Sequence, residues 1–153
     1  MKANEIMIGD WMFVNDVEHL RPMQIGAIKK ISGSFYAELS DPNDATEHCQ
    51  CILSKLVPIE ITIGILNHSG FKQGFKQGTG RFGESFNDWV WRDPRQDTVV
   101  IVTQKPLDLP RRIVIKSYLR DEDVITAIDA PIEYVHELQH LLSFCGVSLE
   151  LKV

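Results

Sequence analysis

The chain has 153 residues, 44% hydrophobic and 24% charged, with a formal net charge of -5 at pH 7, which describes an ordinary soluble globular chain of one medium domain or two small ones. No apolar run approaches the roughly 20 residues that a membrane helix needs, and the N-terminal residues Met1 to Glu5 lack the apolar stretch of a secretory signal. Three cysteines, Cys49, Cys51 and Cys145, make no disulfide framework, so a cytoplasmic location and no membrane partner are expected.

In chain order, the first segment reads as short strands punctuated by turns. Ile6 to Gly9 leads into Asp10 to Val14, with a turn at Asn15-Asp16. Gln24 to Ile31 follows, then a turn at Ser32-Gly33-Ser34, then Phe35 to Leu39, closed by Asp41-Pro42-Asn43-Asp44. Cys49 to Leu53 completes the set, and Ser54-Lys55-Leu56 turns the chain into Val57-Pro58-Ile59. Such a run predicts a small β-barrel over residues 1–57, with the Src-homology-3-like barrel the commonest solution at this size. Within it, Cys49 and Cys51 flank Gln50, so both thiols share one side of a strand. His48, Cys49 and Cys51 resemble half of a zinc knuckle, but no second ligand pair follows at a suitable spacing. Two small apolar residues on the inner face is the better reading.

The chain divides near Pro58, and residues 58–153 predict an α+β domain. Thr62 caps a short helix running to Asn67 or His68, stopped by Gly70. Phe71-Lys72-Gln73-Gly74 repeats as Phe75-Lys76-Gln77-Gly78. The glycines that follow lack the Gly-Lys-Ser/Thr ending and helix of a phosphate loop, so a hairpin tip is expected. Strands are expected over Ser85 to Trp91, Thr98 to Thr103, Arg112 to Tyr118 and Val124 to Ile128. A long helix follows, and Ser148 to Lys152 reads as a last strand. Strands in series with a helix on one face predict an antiparallel α+β layer.

The long helix is expected over residues 131–145, with Pro131 in its first turn and Gly146 as its stop. It contains His136-Glu137-Leu138-Gln139-His140, a literal H-E-x-x-H match. On a helix, histidines four apart can grip one zinc ion while the glutamate activates a bound water. That alternative makes His136 and His140 metal ligands and Glu137 the general base of a zinc-dependent hydrolase. Two features oppose it. At about 100° per residue, Tyr134, Val135, Leu138, Leu141, Leu142 and Cys145 share one arc. Glu133, His136, Gln139, His140 and Ser143 occupy the opposite one, with Glu137 at its edge, so the histidines are expected on a solvated face. Furthermore, the extended H-E-x-x-H-x-x-G-x-x-H pattern fails, because Ser143 and Gly146 stand where glycine and histidine belong. A third ligand could only be Glu150 or an upstream group such as His48, His68 or Asp129.

Charge is unevenly spread. Residues 1–60 carry five basic and nine acidic side chains, whereas residues 71–120 carry ten basic and five acidic ones. Interleaved with Phe82, Phe86, Trp89 and Trp91, the second stretch offers an alternative as a nucleic-acid face. Strand alternation would instead send the aromatics inward and scatter the charges outside.

Three pieces of the chain carry a resemblance: Asn4 to Trp11; Pro58-Ile59 with Ile65-Leu66 and Gly70-Phe71; and Tyr134 to Gln139. In these the chain resembles a group of small proteins from Bacteroides-type bacteria, common in prophage or mobile-element neighbourhoods. The resemblance implies no activity, cofactor or catalytic residue. In similar sequences the tail reads Tyr-Val-His-Gln/Glu-Leu-Gln-Asn, with asparagine at the position of His140, which would end zinc protease chemistry. The expectation is therefore a non-enzymatic accessory or interaction protein with an unidentified protein partner and no cofactor, in which Tyr134, His136 and Gln139 help position the helix on the sheet.

Overall fold

Alternating apolar and polar residues make most of the chain into half-buried strands, while the β-branched run Thr98–Thr103 forms a strand buried on both faces. The computed structural model describes residues 5–15, 21–74, 88–93, 98–103, 111–119 and 123–153. It separates into two compact units, residues 1–60 with 134–140 and 153, and residues 61–133 with 141–152.

The first unit holds β1 (Trp11–Val14), β2 (Pro22–Ile31), β3 (Ser34–Asp41), β4 (Asp44–Ile52) and β5 (Leu56–Pro58). They form one antiparallel sheet in the order β4-β3-β2-β1-β5. Ile31 pairs with Ser34, leaving a two-residue loop in which Ser32 and Gly33 have φ of 49° and 85°. Positive φ at both positions matches the loop's twist to that of the strands. At the next turn Asn43 N–H donates to Asp41 Oδ1 at 2.8 Å, an Asx turn. Met12, Ile25, Ala37, Leu39, Cys51, Leu53 and Leu56 fill the core, with Cys49 packed against it. The two cysteines thus take the inward positions expected of them, and Cys49 Sγ lies 3.7 Å from Met23 Sδ. A one-turn 3-10 helix, Leu53–Lys55, leads into β5. Among the described residues no pairing joins β4 to β5. β4 and β5 stand at the two ends of the strand order, so the sheet is open rather than a closed barrel.

The second unit begins with α1 (Ile63–His68), whose Thr62 Oγ1 accepts from Ile65 N–H at 3.2 Å. Gly70, at φ 86°, ends it in the left-handed conformation that glycine tolerates best. Then come β6 (Lys72–Gln73), β7 (Asp88–Arg92), β8 (Thr98–Thr103), β9 (Arg111–Leu119) and β10 (Asp123–Ile132), in the sheet order β10-β9-β8-β7-β6. Val90, Val99 and Ile101 cluster on one face with Val114. Val100, Val102, Ile113 and Ile115 are buried on the other. The glycine-rich tip lies outside the described residues.

Helix α2 is Val135–Phe144, shorter at its start than the expected 131–145. Pro131 and Ile132 instead end β10, opposite Arg112 and Arg111. An edge strand accepts a proline because its missing N–H faces no partner strand. Arg112 binds the neighbouring Asp129 through Nε and Nη2, at 2.9 and 2.6 Å. The strand expected over Ser148 to Lys152 does not form. Val147 N–H closes α2 on Leu142 C=O at 2.9 Å, and Lys152 N–H donates to Ser69 Oγ at 2.9 Å.

Thr62 is the side-chain cap of a six-residue helix too short to hold itself. Thr62→Ala is expected to cost about 1 kcal/mol and Thr62→Ser much less, measured by urea denaturation.

Candidate functional site

The H-E-x-x-H run sits where α2 begins, and within the first unit it faces the turn that precedes β1. That turn is built by Asp10. Its N–H donates to Met7 C=O at 3.2 Å, its Oδ2 accepts from Met7 N–H at 2.6 Å, and Gly9 takes φ 95° between them. Gly9 N–H and Asp10 C=O both bond to Ile25 of β2. The carboxylate is left only 2% exposed, where an unpartnered charge would be costly.

Two side chains of α2 complete it. His140 Nε2 lies 2.9 and 3.0 Å from the two Asp10 oxygens. An ionised carboxylate only accepts, so the proton of this bond is on Nε2. Gln139 grips the backbone on both sides of Asp10: Oε1 accepts from Trp11 N–H and Nε2 donates to Gly9 C=O, both at 3.0 Å. A primary amide presents an N–H and a carbonyl oxygen side by side, so Gln139 pairs with the Gly9 and Trp11 backbone as a strand residue would.

Glu137 has its own role. Its Oε2 accepts from Tyr134 N–H at 3.1 Å. Tyr134 stands just before the first helical residue, so this is the return bond of a capping box. Ile59 C=O accepts from Val135 N–H at 2.8 Å, and a bridge pairs Glu60 with Tyr134, tying the helix start to the end of β5.

His136 corrects the expected solvated face. It is 6% exposed, with Nδ1 enclosed and without a hydrogen-bond partner. Its ring stacks on Tyr134 with centroids 5.8 Å apart and meets the His140 ring edge-on, also at 5.8 Å. Burial pushes its pKa below the ordinary histidine value; Asp10 and Glu137 oppose this, His140 adds to it, and Glu5 opposes. The helical wheel assigned the polar arc to solvent because it could not know that residues 5–11 cover the first half of that arc. The arc's end behaves as expected, with Ser143 exposed. Val135, Leu138 and Leu142 are buried as the apolar stripe requires.

Beside the clasp lies an open concavity of about 370 Å³ lined by Glu5, Leu56, Pro58, Tyr134, His136, Glu137 and His140. The donor set does not fit a zinc centre. A catalytic zinc takes three protein ligands with ring nitrogens or carboxylates turned to the ion. Here His140 Nε2 is bonded to Asp10, His136 Nδ1 is enclosed, and Glu137 caps the helix. Among the described residues no group of three His, Cys, Asp or Glu side chains is arranged to hold a metal.

Of the basic stretch, Lys76, Arg81, Arg95, Lys105 and Arg120 lie outside the described residues, as do Phe82 and Phe86. Arg112 is paired with Asp129, while Trp89 and Trp91 are half-buried on β7. No helix among the described residues is long and apolar enough to cross a membrane.

No family model matches the chain, and neither the curated proteins nor the solved structures contain a match to it. The sequence pointed to His136, Glu137 and His140 and to Gln139 as a residue that positions the helix, but it missed Asp10. Asp10 reads in the sequence only as the first residue of the strand Asp10 to Val14; its side-chain partner on α2 lies 130 positions away.

Gln139→Ala leaves Trp11 N–H and Gly9 C=O without partners and is expected to cost about 1–3 kcal/mol. His140→Gln keeps an amide donor near the position of Nε2, so it should cost less than His140→Ala. Denaturation midpoints of the three variants check both orderings.

Proposed function

We propose that the chain is a non-enzymatic accessory or interaction protein in which the H-E-x-x-H run is a structural clasp. One observation carries this reading: two of the three side chains that a zinc hydrolase would use from α2 are bonded elsewhere, and the third is buried. Glu137 caps the helix, and His140 holds a buried carboxylate. His136 is enclosed. Gln139, the variable position of the zinc signature, makes the most specific contact of the run. Asparagine at the last position, as in the proteins this chain resembles, could not replace a zinc-binding imidazole, so the hydrolase reading does not accommodate that exchange.

The setting we infer is cytoplasmic and phage- or mobile-element-associated, with a protein partner. Three free cysteines suit a reducing compartment, and the resemblance supplies the genomic setting. For the first unit we favour the Src-homology-3-like roll. In its support, β2 to β4 form a meander and β1 lies between β2 and the short β5, which follows a single 3-10 turn. That scaffold serves binding far more widely than it serves catalysis, and it names no partner by itself.

Metal content by mass spectrometry on tag-free protein, beside His140→Asn, tests the reading. Zinc well below one equivalent is expected in both proteins, with no change in secondary structure after chelation. Near-stoichiometric zinc in the parent chain that disappears in the variant would return the run to metal chemistry.

A further inference from the structure

Two histidines one turn apart on α2 meet the same buried carboxylate with opposite consequences. His140 touches Asp10 directly, so a proton there makes the contact a full ion pair. His136 is enclosed between Tyr134 and His140, with Nδ1 unpartnered. A proton on His136 would place a charge in a site that gives it no hydrogen-bonded counter-ion.

We propose that this pair is a proton-operated latch, in which neutral His136 keeps the start of α2 seated on the Met7-to-Trp11 turn and protonation of His136 releases it. The charged groups facing His136 are Asp10 and Glu5 from the N-terminal segment and Glu137 and His140 from its own helix. Leu56 and Pro58 of β5 border the same concavity without charge. Asp10 directs its oxygens to Met7 N–H and His140, and Glu137 directs Oε2 to the Tyr134 N–H. Burial outweighs their attraction, and the seated imidazole titrates below the ordinary value of 6.5. The released state therefore binds the proton more readily. Seating is fully favoured above about pH 6.5 and weakens as pH falls toward the depressed value. The loss is local, because the Trp11 N–H depends on Gln139 of the helix. The long strands β2, β3 and β4, in contrast, pair with one another over a shared core. Release would also free a turn whose tip, Met7 and Ile8, is already exposed at 50% and 68%.

This inference rests on the structural reading of the motif, so zinc is assayed on the same chelator-treated samples and the two ideas can fail separately. Amide exchange by NMR, corrected for intrinsic rates, would be followed from pH 7.5 to 5.0 in the parent chain, His136→Phe and His140→Asn. Trp11 protection is expected to fall in the parent by up to roughly tenfold per pH unit, while amides of the β3–β4 ladder hold. His136→Phe should flatten that fall, and His140→Asn should retain it. Level Trp11 protection in the parent, or an equally steep fall in His136→Phe, overturns the latch. Should His136→Phe not fold, the His136 ring titration in the parent decides. A midpoint below 6.5 that coincides with loss of Trp11 protection supports the latch, and a midpoint at or above 6.5 with Trp11 still protected overturns it.

Discussion

A carboxylate that is 2% exposed must be met by donors, and the arrangement of the first unit around α2 follows from how Asp10 is met. One donor is local, the Met7 N–H, and this shapes the turn ahead of β1. The other is His140, about 130 positions later. Seating His140 brings Gln139 onto the flanking backbone, and seating Gln139 brings His136 under cover beside Tyr134. Burying the carboxylate costs free energy that a water-exposed turn would not spend. What it obtains is geometric: the three-centre contact of His140 Nε2 with both Asp10 oxygens and the double contact of Gln139 hold the helix in one register against the strand.

The same contacts explain how a zinc signature can occur without zinc chemistry. His-Glu-x-x-His is a statement about helical spacing: residues four apart share a face, and the residue after the first histidine lies at the edge of that face. A helix that docks its polar face needs the same periodicity. It also benefits from glutamate at its third position, because that residue returns a bond to the cap. Glu137 stands at that third position. The motif's letters are therefore compatible with two tasks, and the partner opposite the face distinguishes them. Opposite this face stand a backbone turn and a carboxylate already bonded to His140.

Much of the fold was legible because its signals are local. The Ser32-Gly33 loop needs positive φ at adjacent positions, and Gly33 permits it without a Cβ clash. Thr62 and Gly70 bracket α1 through bonds within eight residues of each other. The strand Thr98–Thr103 is a run of β-branched residues with nowhere to go but a doubly covered sheet. Pro131 misled for a definable reason. Its fixed φ suits both the first turn of a helix and an edge strand, and only the pairing of β10 with β9 selects the strand. Ser148 to Lys152 alternates like a strand, yet the Lys152 N–H is claimed by Ser69, a side chain 83 positions away.

From sequence alone came the division into a strand-rich first half and a mixed second half, the turns, the apolar stripe of α2 and the identity of its suspect residues. Each depends on φ preferences and periodicities contained within a few consecutive residues. The tertiary structure decided what the polar face of α2 does. Whether His136 meets solvent, a metal or a neighbouring ring depends on which distant segment covers it, and a helical wheel contains no information about coverage. Asp10 and Gln139 became visible as a pair only when the fold closed the long loop between them, since a hydrogen bond leaves no trace in the spacing of residues so far apart.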